Sequence, residues 1–198
     1  MISFAESHYS KTIVVINSSN TMELGNIQND DGVSAIIWVG SPGSTGFNSL
    51  GSILSGAVNP SGKTADTWAN DFTLDPTFKN FGHNGVSQYD GIDSADEVDW
   101  GNGNSNSAYF VEYEEGIYVG YRYYETRFGT NDAAYDNAVV YPFGYGLSYT
   151  SFTQNVKSHS EPSLLSSECS VTVTVTNTGS VAGKDVVEVY YSAPYTEG

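Results

Sequence analysis

Basic residues are scarce in this chain: 7 Lys and Arg stand against 23 Asp and Glu, for a formal charge of −16 over 198 residues. So acidic a surface repels phosphate backbones and anionic lipid, which argues against nucleic-acid and membrane-surface partners. Cysteine is nearly absent. The single Cys169 closes no internal disulfide and offers no thiolate cluster for a metal. Its place in the alternating run CSVTVTV predicts a buried strand thiol. No apolar run approaches the ~20 residues of a membrane helix. The opening MISFAESHYSK lacks the basic start and apolar stretch of a signal peptide, which with the lone cysteine favours the cytoplasm.

Several motifs are missing as well. His8, His83 and His159 are scattered without ligand spacing, so no metal site is expected. No G-x-S-x-G occurs, and no nucleophile–histidine pair stands out. The segment GAVNPSGKT (Gly56–Thr64) imitates a P-loop, but one residue too many separates Gly56 from Gly62, and it follows a helix rather than a strand. It predicts a tight Pro-Ser-Gly turn. The loop GSPGSTG (Gly40–Gly46) places Pro42 where a dinucleotide fingerprint needs its second glycine, so close helix–strand packing is the expectation there. No cofactor is expected.

What is present is apolar enough to fold. Hydrophobic residues make up 39% and aromatics 14% of the chain, which excludes a disordered polymer. Thr12–Ile16 (TIVVI) and residues 34–39 (SAIIWV) read as buried strands. Phe47, Leu50, Ile53 and Leu54 follow at helical spacing, with Gly56 placed as a C-cap. This cadence predicts a buried parallel sheet with helices packed on it.

Residues 66–115 are rich in Asn, Asp, Gly and Ser and predict a long loop. Tyr118, Val119, Tyr121 and Tyr123 make a strand-like run. SVTVTVTNTGSVAGKDVVEVYYSAP predicts a β-hairpin turning at NTGSVAG.

Carboxylates are plentiful: Asp90, Asp93, Asp96, Glu97 and Asp99, then Glu112, Glu114, Glu115 and Glu125. Two carboxyls near 5 Å apart would suit retaining glycoside hydrolysis. Spacing does not show such a pair, and a solvated acidic loop is the default reading. Trp100, Tyr121, Tyr123 and Tyr124, with Arg122, could stack on and hydrogen-bond a sugar, and Trp100, Tyr121, Arg122 and Tyr123 are kept as the candidate sugar contacts. Alternate tyrosines packing on two strand faces is the competing account.

Four blocks in order carry a resemblance: KTIVVINSSNTMEL, SAIIWVGSPGSTGFNSLGSILSGAVNPSGKTADTW, EGIYVGYRYYET and VVYPFGYGLSYTSF. Together they resemble the C-terminal half of glycoside hydrolase family 3, the β-glucosidase and β-xylosidase family. The resemblance implies an α/β three-layer sandwich with a mostly parallel sheet over residues 1–146, followed by the start of a fibronectin type III-like β-sandwich over 147–198. It implies a fragment whose partners are a TIM-like barrel and a β-glucoside or oligosaccharide substrate. The family's nucleophile is an aspartate of that barrel. Val98-Asp99-Trp100 copies the letters of its motif from the wrong domain, and the family's acid/base segment lies upstream of KTIVVI. Where the family has EGGNA this chain has TGFNS, without the glutamate. No family catalytic residue is matched. The chain is therefore expected to form one wall of a retaining hydrolase's substrate cleft and to be inactive alone. The alternative is a non-catalytic carbohydrate-binding or interaction module.

Overall fold

The computed structural model describes residues 1–82, 97–99, 105–107, 110–111, 113–129, 131–160 and 168–191. They fall into two units: Met1–Ser41 with Asp66–Phe143, and Pro42–Ala65 with Gly144–Gly198.

The first unit opens with helix α1 (Ile2–His8) and strand β1 (Thr12–Ile16). β1 pairs in parallel with β2 (Val33–Trp38), so that Ile16 lies opposite Trp38. Two consecutive β-branched, apolar runs separated by a polar connection give this pairing, as the pattern predicts. In the second unit, a 3-10 turn over Gly46–Ser49 runs into α2 (Leu50–Leu54). Gly56, at φ 77°, ends that helix with its N–H on the Ile53 carbonyl at 2.9 Å. This is the left-handed cap position that favours glycine.

Back in the first unit come β3 (Trp68–Ala69), a 3-10 turn at Phe72–Leu74, α3 (Pro76–Lys79) and β4 (Phe81–Gly82). Asp71 and Asp75 cap the two short turns, accepting from the Thr73 and Thr77 amides at 2.9 and 2.8 Å, and Pro76 fills the first helical position. The expected long loop is thus folded in its first part. β5 (Glu97–Asp99) pairs with β6 (Ser105–Ser107), and β4 pairs with β7 (Phe110–Val111). Helices α4 (Tyr121–Phe128) and α5 (Asp132–Ala138) lead into β8 (Val139–Tyr141), which pairs antiparallel with β3.

Among the described residues β1–β2 is parallel and the other four pairs are antiparallel. The expected mostly parallel sheet is met in that one pair. The outcome is an α/β arrangement of short elements.

Two apolar clusters hold this unit. Ile16, Leu24 and Trp68 are buried together, with Val14, Ile27, Ile36, Trp38, Val140 and Tyr141 against them. Trp68, 2% exposed, takes Trp38 and Tyr141 edge-on at 5.3 and 6.3 Å. Ala69, Tyr124 and Val139 form the second cluster beside Tyr123, Phe128, Tyr135 and Ala138.

In the second unit β9 (Phe152–His159) and β10 (Val171–Asn177) form an antiparallel pair with a bulge between Thr172 and Val173. The NPSGK segment holds the GYGLSYT segment. Asn59 Oδ1 accepts from Ser148 Oγ at 3.0 Å and from the Tyr149 amide at 2.8 Å, while its Nδ2 donates to the Ala182 carbonyl at 3.1 Å. Lys63 Nζ donates to the Gly146 carbonyl at 2.6 Å, and Thr64 exchanges backbone bonds with Gly144 and Tyr145, both at 2.8 Å. Gly144 is at φ 77°, and a Cβ there would run into the Glu188 carboxylate.

Four local expectations are corrected. NPSGK is an extended bonding strip and not a tight turn. In Gly40–Gly46, Gly40 and Gly43 stand at φ 62° and 66° with open space where a Cβ would be, so backbone conformation demands them, and close packing holds only at Gly46, where a Cβ would meet Pro42 and not a strand. β10 pairs with β9 and makes no hairpin with the segment after NTGSVAG. That segment is tied instead through side chains, by Gln154 Nε2 to Asp185 Oδ2 and the Val186 carbonyl at 2.8 and 2.9 Å. Cys169 precedes β10 and is exposed.

Candidate functional site

The tyrosine-rich run is a helix where a strand was expected. Gly120, at φ 60° and ψ −134°, breaks the extended path, and α4 starts at the next residue. On a helix Tyr121, Tyr124 and Phe128 share one face, and Tyr124 and Phe128 lie stacked with centroids 6.3 Å apart. Burial against Ala69 and Val139 outweighs the aromatic preference for strands.

α4 distributes the expected sugar contacts. Tyr121 packs on Phe143 at 4.8 Å, and the Arg122 guanidinium sits 6.0 Å from the Tyr121 ring centre. Arg122 is exposed. Tyr123 meets Tyr124 edge-on at 5.1 Å. Trp100 lies outside the described residues. Tyr124, named with them as an aromatic that could stack on a sugar, is 5% exposed and turned inward. What the strand-like composition hid is the helical spacing from Tyr121 to Phe128 that turns Tyr124 into the core.

Tyr124 lines a cleft of about 330 Å³ within the first unit. The other walls come from the connection after β1 (Thr21, Met22) and from the segment spanning β3 to α3: Thr67, Ala69, Phe72, Asp75, Thr77 and Phe78. Phe72 and Phe78 lean on each other at 5.6 Å. Asp75 is fixed by its capping role, its Oδ1 accepting from the Thr77 amide and hydroxyl at 2.8 and 2.5 Å.

Burial pushes the Tyr124 phenol far above its usual range, and the adjacent, hydrogen-bonded Asp75 carboxylate pushes it further, with smaller contributions from Tyr123 and Asp71. Tyr124 therefore keeps its proton and acts as a hydrogen-bond group.

Thr67, 8% exposed, has its hydroxyl buried without a hydrogen-bond partner among the described residues. Nearby in sequence, the buried Asn80 donates through its Nδ2 to Glu115, the first residue of the EGIYVGYR block, whose other carboxylate oxygen is also buried and unpartnered. Among the described residues no group of three or more His, Cys, Asp and Glu could hold a metal ion. No described helix is long and apolar enough to cross a membrane.

Residues 1–121, more than half of the chain, match the model of the glycosyl hydrolase family 3 C-terminal domain. The chain belongs to glycoside hydrolase family 3. Beta-glucosidase A of Butyrivibrio fibrisolvens is 34% identical over 208 residues, covering 98% of this chain and 21% of that protein. Beta-glucosidase of Ruminococcus albus is 34% identical over 187 residues, covering 94% of this chain and 16% of that protein. Among solved structures, the beta-glucosidase from Paenibacillus barengoltzii superposes with a TM-score of 0.65 at 33% identity, covering 88% of this chain and 16% of that one. DesR, a beta-glucosidase from Streptomyces venezuelae solved with D-glucose, gives 0.60 at 28% identity, covering 90% and 19%. The chain thus spans about a fifth of the length of these family 3 relatives.

Proposed function

We propose that this chain is part of a retaining, β-glucosidase-like hydrolase of β-linked glucosides and oligosaccharides, and that it supplies one wall of the substrate cleft. The observation that carries this reading is the family 3 match together with β-glucosidase relatives that align along nearly all of the chain. In the whole enzyme an aspartate of a TIM-like barrel forms the glycosyl-enzyme. A glutamate protonates the leaving oxygen and then activates water. Neither has a match here, so the chain alone is inactive. Residues 1–146 belong to the family's three-layer α/β sandwich, and 147–198 begin its fibronectin type III-like domain, with β9 and β10 as the first strands. Trp100, Tyr121, Arg122 and Tyr123 contribute sugar contacts, Arg122 being the most accessible of those described.

A chimera tests this. The matching fifth of Butyrivibrio fibrisolvens beta-glucosidase A is replaced by this chain, and aryl β-glucoside hydrolysis is measured beside the isolated chain. Hydrolysis by the chimera and none by the chain is expected. A folded but inactive chimera overturns the cleft role. Turnover by the chain alone, abolished by changing one of its own carboxylates, overturns the claim of inactivity.

A further inference from the structure

We propose that the outer edge of β10 is a self-association surface, and that its partner is a second copy of this chain, paired antiparallel about a two-fold axis. The proposal concerns β9 and β10 and does not depend on the hydrolase reading.

Among the described residues the edge is bare. β10 (Val171–Asn177) is bonded on one side only, to β9, in a two-stranded sheet. The Thr178 amide bonds the Ser151 carbonyl at 2.8 Å, so alternation along the ladder turns the even-numbered backbone groups toward β9. Those of Val173 and Val175 therefore point away from it. The described chain that follows does not take them: 181–191 adds no strand to the ladder and is tied to β9 through Gln154. A bare edge is a template for another strand, and proteins guard such edges with charge, proline or bulges. Here the guards stand on β9, which has Lys157 as the extra residue of the bulge and His159 at its end. β10 reads VTVTVTN, uninterrupted, with no charge, proline or glycine.

Sequence, charge and stability together select a second copy as the occupant. From Val171 to Thr176 the strand alternates strictly, so a two-fold axis at Thr174 sets Thr174 on its own copy, Val173 on Val175 and Thr172 on Thr176. Like meets like on each face, and no other sequence is needed to complete the match. The chain carries −16, yet β9 and β10 together hold one formal charge, on Lys157, so the contact sets no carboxylate against another. A two-stranded sheet is marginal in water, and this one leaves Val156 and Val175 65% and 40% exposed. Pairing gives four strands in the order β9-β10-β10-β9. The edge spans about 24 Å and buries less than the ~1,200 Å² of a standard interface, so the dimer should be weak, with a Kd of about 10–100 μM.

Sedimentation velocity of the 198-residue chain, run from well below to well above that constant, tests the pairing alongside amide hydrogen exchange. A monomer–dimer equilibrium is expected, with the Val173 and Val175 amides gaining protection as concentration rises. Val175→Pro removes an outward N–H and leaves the β9 ladder its donors, so the folded variant should associate about tenfold more weakly. Thr174→Lys and Thr174→Glu each set like charges on the axis, and each alone should weaken association about tenfold. An equimolar mixture of those two sets Lys on Glu and should recover the wild-type affinity, which a loss of folding would not. A monomer at every concentration overturns the proposal, whether the edge is idle or taken by another part of the chain. So does a dimer that survives Val175→Pro, or a mixture of the two charged variants no tighter than its components. None of these outcomes bears on the chimera, which reports hydrolysis.

Discussion

Asn59–Lys63 and Thr67–Trp68 are close in sequence and opposite in how they treat polar side chains. In the first, the Asn59 amide uses both its oxygen and its nitrogen, and Lys63 reaches the Gly146 carbonyl with Asp185 at 3.8 Å. In the second, Trp68 is the most buried large side chain, yet its indole N–H and the neighbouring Thr67 hydroxyl are buried and unpartnered among the described residues. Saturated bonding marks a clasp that holds one piece of chain to another. Unpartnered polar atoms beside a buried indole mark a stretch that is held by packing instead. The family-typical letters NPSGK and GYGLSYT thus belong together because side chains and backbone of the one satisfy backbone groups of the other.

The sharpest way to break this contrast is Trp68→Ala. The indole joins Ile16, Leu24, Trp38 and Tyr141, and large-to-small changes at such sites cost about 3–5 kcal/mol. That is comparable to the whole stability of a small unit. Urea unfolding followed by near-ultraviolet circular dichroism should show the aromatic signal lost far below the wild-type midpoint. A cost under about 1 kcal/mol would mean that the two clusters do not depend on Trp68.

Asn59→Ala ranks next. Three hydrogen bonds vanish and two backbone groups, the Tyr149 amide and the Ala182 carbonyl, lose a partner. At about 1 kcal/mol each, the expected loss is about 2–3 kcal/mol. Asn59→Asp keeps both acceptor bonds but sets a carboxylate oxygen against the Ala182 carbonyl in place of the donor, so it should recover only part of that loss. Equal losses for the two variants would show that the clasp does not act through the geometry described.

Much of this was legible in the sequence. β1 and β2 were readable because apolar runs of five or six residues leave little choice of structure, and α2 because Phe47, Leu50, Ile53 and Leu54 keep helical phase up to a capping glycine. The four ordered blocks were enough to show the family. The cleft was not legible, because its walls come from distant stretches, at 21–22, 67–78 and 124, brought together by β3–β8 pairing. α4 was misread because three tyrosines carry strand preference, whereas the deciding fact is one glycine with positive φ at 120. The pairing of β10 with β9 rather than with its own continuation was hidden too. The Gln154 side chain, on β9, holds the chain at 185–186, a contact that no alternation pattern encodes.

The smallest and most specific effects are at the two ends of the pH scale, and each belongs to one region. Asp185, in the second unit, has its carboxyl held below the ordinary carboxylate range, first by the Gln154 hydrogen bond and further by the Val186 amide and Lys63, against a partial opposing cost of burial. A lowered folded-state value favours the charged form. Its stabilisation is therefore present above the ordinary carboxylate pKa of ~4 and lost as pH falls through the folded value. Tyr124, in the first unit, is shifted upward, mainly by burial. The protonated phenol is favoured, so its contribution is whole below the ordinary phenol value of ~10 and drains away as pH rises beyond it. Denaturation midpoints measured from pH 2 to 11 should show Asp185→Asn flattening only the acid limb and Tyr124→Phe flattening only the alkaline limb. If either variant moved both limbs equally, its effect would be a general loss of packing and not the titration of that group.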